Sequence, residues 1–151
     1  MATLRQVTLR VGNLNLLSES MKALAETKED FVEANVDQMR HGKNKNGNII
    51  GEYRSAWYGD FKTRMNPLAG GNVDLILTGA FTSGMYLELM SRGSYKIDSK
   101  DAKRDLLVKG GGNRRGYGSD IFGLGGEYKS KAINKNFRRV LIEKVKSVTK
   151  L

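Results

Sequence analysis

Side chains able to do covalent, acid–base or metal chemistry are few in this sequence and poorly spaced for it. It has no cysteine and a single histidine, His41, which excludes a thiolate nucleophile, a thiolate metal site and a disulfide, and leaves a His–His metal pair without its second member. His41 follows a long amphipathic segment, where an isolated histidine is a helix-end residue before it is a ligand or general base. Asp98, Asp101 and Asp105 fall three and four residues apart, yet they alternate with Lys100, Lys103 and Arg104. That pattern describes a salt-bridged surface helix better than a calcium site. The run GGGNRRGYG at 110–118 carries Arg114 and Arg115 between glycines. It is either a hairpin or loop tip, or a basic finger touching phosphate or a neighbouring subunit; no strand precedes it with the glycine spacing of a phosphate-binding loop. The expectation is a chain without catalytic residues, cofactor or metal, whose candidate residues are contacts and scaffold.

The element that must position such contacts is the stretch 47–81, which gathers the single Trp, the single Pro and two of the six Tyr. Tyr53, Trp57, Tyr58, Phe61 and Met65 recur at spacings of three and four, which places large rings on one helical face. Pro67 and the Gly70-Gly71 pair end that segment, and the apolar run Val73 to Leu77, broken only by Asp74, turns at Thr78-Gly79 into Phe81. These aromatics are expected to be core or lid residues, since a small-molecule site needs convergent polar groups as well as apolar walls. Trp57, Phe61, Leu77, Phe81, Phe122, Phe137 and Leu141 are the expected structural core.

Charge is unevenly distributed. The formal net charge is +10, but 18–40 holds six acids against three bases, whereas 127–151 holds eight bases against two acids. The two ends could pack side by side in one molecule, or the basic end of one copy could meet the acidic helix of the next, or the basic end could lie on nucleic acid; a solvated face is the plain alternative. Glu26, Glu33 and Asp37 on one side and Arg114, Arg115, Arg138 and Arg139 on the other are the candidate interface residues. The N-terminal MATLRQVTLRV alternates and carries arginines, and eighteen apolar residues nowhere run together, so neither a signal peptide nor a membrane span is expected. A chain of 151 residues suits one domain, 1–151, with a modest core.

In order along the chain, Val7, Leu9 and Val11 alternate as a short strand or N-terminal arm over 1–12. Ser18 or Ser20 can cap a helix in which Leu17, Met21, Leu24, Phe31, Val32, Val36 and Met39 keep the three-and-four rhythm. Met85, Leu87 and Leu89 alternate as a strand, Gly93-Ser94 turns, and Tyr95 and Ile97 begin a second strand antiparallel to the first. A final helix has Ile133, Phe137, Val140, Leu141, Val145 and Val148 as its buried stripe. The expected fold is α+β: long N-terminal and C-terminal helices packed on a small antiparallel sheet, with long glycine-rich loops.

This order of segments resembles the phage virion-morphogenesis or tail-completion family. The matching residues are Asn46, Gly47 and Trp57 for a DGxxW-like stretch, Leu75, Thr78, Gly79 and Phe81 for an LxxTGxL-like corner, and Ile121, Phe122, Gly123 and Leu124 for an FLGL-like anchor. Trp57 lies further from its glycine than that pattern has it, and Phe81 stands where the pattern often has Leu. The resemblance implies a virion structural subunit of the neck, a ring-forming head–tail connector or tail-completion protein. It also implies copies of itself and portal, connector or tail-tube proteins as partners, genomic DNA nearby, assembly in a host cytoplasm and no membrane contact. A sequence-independent nucleic-acid-binding protein using the basic C-terminal helix is the other expectation.

Overall fold

In the computed structural model, residues 4–76 and 78–150 are described. The sequence folds around one long helix, α2 (Leu16–Arg40), whose first turn is capped by Asn15, its side chain accepting from Ser18 N; neither Ser18 nor Ser20 is the cap. His41 closes the other end, its Nδ1 2.8 Å from the Asp37 carbonyl. Leu24, Phe31, Val32, Ala34 and Met39 bury one stripe of α2, as the 3.6-residue period requires.

Against that stripe packs a two-stranded antiparallel sheet, β1 (Met85–Leu89) and β2 (Tyr95–Ser99), in the register Leu87 opposite Ile97. Met85, Leu87 and Ile97 face the core, and the Tyr95 ring meets Phe31 edge-on at 5.6 Å. The last helix lies along the other side of α2. It runs from α3 (Gly126–Ala132) through a π-helical stretch, Ile133–Phe137, into α4 (Arg138–Thr149), and Phe137 closes on Phe31 at 5.9 Å. Val140 is buried, whereas Phe137, Leu141 and Val145 are half-buried and Val148 is exposed, so the expected stripe fades toward the C-terminal end. Phe81 and Phe122 meet in the core with ring centroids 5.9 Å apart.

Three expectations are corrected. Residues Leu4–Gly12 form a helix, α5, lying against α4, and not a strand or arm. The spacing Val7 to Val11 is also one helical turn, and three alternating residues cannot separate the two periods. Trp57 and Phe61 are not core: they sit on a short helix, α6 (Ala56–Met65), with relative exposures of 75% and 37%. That helix buries its other side, through Lys62. The aspartate triplet is no surface helix either, since Asp98 is a buried residue of β2 and only Asp105 lies on the following helix, α7 (Arg104–Lys109). Leu77, also expected in the core, lies outside the described residues.

Candidate assembly surface

Two buried amides fix the frame. Asn35 and Gln38 interrupt the apolar stripe of α2, and each reads a stretch of backbone between Ile121 and Gly125. Asn35 donates to Ile121 O at 3.1 Å and accepts from Gly123 N at 3.1 Å; Gln38 donates to Gly123 O at 3.0 Å and accepts from Gly125 N at 2.7 Å. A side-chain amide carries a donor and an acceptor on adjacent atoms, so both of its polar atoms are satisfied here by one loop. The polar loop 43–48 docks on the same segment: Lys45 Nζ lies 2.9 Å from Asp120 Oδ1 and Asn46 Nδ2 donates to Asp120 Oδ2 at 3.0 Å.

A buried ion pair does the same for α6. Lys62 and Asp74 are 3% and 1% exposed, with Lys62 Nζ 2.7 Å from Asp74 Oδ1 and also donating to the Ile76 carbonyl. The carboxylate further accepts from Tyr53 Oη at 3.1 Å, Asn66 Nδ2 at 2.9 Å and Ile76 N at 3.0 Å. Burial alone would raise the Asp74 carboxyl, but Lys62, Asn66 and the Ile76 N–H outweigh it and hold the group below its ordinary value. Burial pushes the Tyr53 phenol far up. Asn66 Nδ2 also donates to Arg40 O at 2.7 Å, which ties the end of α6 to the end of α2.

Held from behind in this way, α6 turns a stripe outward. The Trp57 and Phe61 rings stack, 6.1 Å apart and 11° from parallel, and Met65 and Leu68 continue the exposed apolar surface. A second exposed apolar group, Leu9, Val11, Leu16 and Leu17, lies where α5 meets the start of α2. The two patches are at opposite ends of α2, whose 25 residues span about 37 Å.

The candidate acidic residues face the chain's own C-terminal helix. Lys131 Nζ is 3.0 Å from Asp37 Oδ2, Lys135 Nζ is 2.6 Å from Glu33 Oε2 and 3.1 Å from Asp30 Oδ1, and Lys144 pairs with Glu26. Arg139 pairs with Glu143 of its own helix at 3.0 Å, while Arg138 is exposed with no carboxylate partner among the described residues. Arg114 and Arg115 form β4, paired with β3 (Gly110–Gly111), in a two-stranded hairpin. At its base Gly110 and Gly116 lie so close that a Cβ on either would collide with the opposing backbone. Both arginines are exposed.

Asn35, Gln38, Lys62 and Asp74 were missed as organising residues. The signal available for them is a polar side chain inside an apolar pattern. Comparison with protein-family models, with curated proteins and with solved structures gives no match for this chain. Among the described residues no helix is long and apolar enough to cross a membrane.

Proposed function

We propose that this chain is a structural subunit of a tailed-phage virion, a head–tail connector or tail-completion component of the neck that repeats as a ring and meets neighbouring portal, connector or tail-tube proteins. The observation carrying the reading is the pair of exposed apolar patches at the two ends of α2. Neither patch can cover the other within one molecule. In a head-to-tail contact the Trp57 stripe of one copy covers the Leu16 corner of the next, and a heterologous contact repeated with a closing rotation makes a ring. Large exposed apolar surface rimmed by polar residues marks a protein-binding face. The resemblance carried by Asn46, Gly47 and Ile121–Leu124 supports the same reading.

Sedimentation and negative-stain imaging test the ring. Discrete closed oligomers are expected, together with a blue shift of the single tryptophan's emission as concentration rises. Trp57→Ser and Leu17→Ser should each give monomers with unchanged far-ultraviolet circular dichroism. A wild-type monomer at 100 μM with water-exposed tryptophan emission would discard the proposal. Mass spectrometry of purified particles tests the virion assignment, which absence of the chain from them would end.

A further inference from the structure

Four of the cations that the fold leaves without carboxylate partners converge at one place. Arg54, Lys103, Arg114 and Arg115 come from three separate segments, are all exposed, and border two adjoining hollows of about 760 and 330 Å³. Arg54 Nη1 donates to the Asn113 carbonyl, 2.6 Å away at the hairpin tip; no carboxylate pairs with any of the four among the described residues. Glu52 and Asp101 also line the hollows, and Asp101 Oδ1 accepts from Lys103 N at 2.7 Å. Successive residues of a strand point to opposite sides, so Arg114 and Arg115 arm both faces of a thin ribbon. Its base is rigid, since Tyr117 N and Gly118 N donate to Leu107 O and Val108 O at 2.7 and 3.0 Å. Its tip, Gly112-Asn113, bears no ring that could stack on a base.

We infer that this hairpin, with Arg54 and Lys103, is a docking surface for the phosphate backbone of double-stranded nucleic acid, independent of base sequence. Charge complementarity chooses the partner. A duplex carries the densest regular array of negative charge, a two-stranded ribbon is narrow enough to enter its major groove, and cations on both faces of the ribbon then reach both backbones. The lysines of the C-terminal helix that face α2 are already matched by Asp30, Glu33, Asp37 and Glu26, which moves the binding away from that seam. The inference goes beyond the ring reading and does not depend on it.

Fluorescence anisotropy with a labelled 20-base-pair duplex, titrated with salt, tests it. For four neutralised phosphates the slope of log affinity against log salt is expected near −3.6, on the order of 0.9 per contact. Arg114→Ala/Arg115→Ala should lower affinity at least tenfold and flatten the slope by roughly 2. Lys131→Ala/Lys135→Ala should leave both within twofold. Three outcomes overturn the inference: a salt-insensitive affinity, an equal loss in Arg138→Ala/Lys146→Ala that relocates binding to the outer face of the last helix, or polyglutamate competing as well as the duplex. Because Arg114 and Arg115 lie outside both apolar patches, tryptophan emission and sedimentation report ring formation separately from duplex binding.

Discussion

Removing the Asp74 carboxylate would strand the Lys62 ammonium in the interior and leave the Tyr53 hydroxyl without its acceptor. Asp74→Ala is expected to cost about 3–5 kcal/mol, the range for breaking a buried pair from one side. Lys62→Met should cost less, because three donors still face the carboxylate; urea midpoints in the opposite order would refute this account of the pair. Asp98 gives a pH signature. Burial opposes its ionisation, yet the Arg104 fork at 2.8 and 3.1 Å, Lys96 at 2.7 Å and the Ser99 N–H lower its pKa to about 2. A folded-state pKa below the unfolded one stabilises above the unfolded value and loses that contribution as pH falls. Roughly 2 kcal/mol should therefore disappear between about pH 5 and pH 2, and Asp98→Asn should flatten that limb of the urea-stability profile. Nothing in the spacing of three aspartates could show that the first belongs to a strand and is gripped by an arginine six residues on. That pairing exists only once β2 and α7 have folded together.

At the scale of elements, β1 and its partner strand were legible, since alternation over Met85–Leu89 and a Gly-Ser turn leave one register that buries Leu87 against Ile97. The long helices were legible for the same reason, their apolar stripes running for many turns. The facing of α6 was not. A three-and-four rhythm shows that a helix has an apolar side, but which side meets the core was settled here by Lys62 and Asp74, fixed in tertiary structure. The consequence is measurable: Trp57→Ser should change monomer stability by less than about 0.5 kcal/mol, as for other exposed positions, while Phe81→Ala should cost about 3–5 kcal/mol. Equal losses in chemical denaturation would return Trp57 to the core. The hairpin makes its own demand, because Gly116→Ala must push Val108 O and the Gly110 backbone apart. Faster hydrogen exchange at Tyr117 and Gly118, without global unfolding, is expected.

Across the whole molecule, the charge asymmetry seen in the sequence was real, and of the three uses it left open the side-by-side one is present. The acidic face of α2 is occupied by the C-terminal helix through Asp37, Glu33, Asp30 and Glu26. Most of those contacts are exposed, so each contributes at most about 1 kcal/mol, and the seam aligns the two helices more than it stabilises them. An interhelix seam and an interface between copies have the same composition, which is why charge counts alone could not separate them.

That occupied seam has a further effect. A molecule that has used its acidic helix internally approaches its own kind with ten surplus positive charges. Background electrolyte should then act in the sense opposite to an ordinary ionic interface. Screening the mutual repulsion lets the apolar ends close, so raising sodium chloride from 20 to 500 mM should favour larger species in sedimentation, whereas copies joined by opposite charges would come apart.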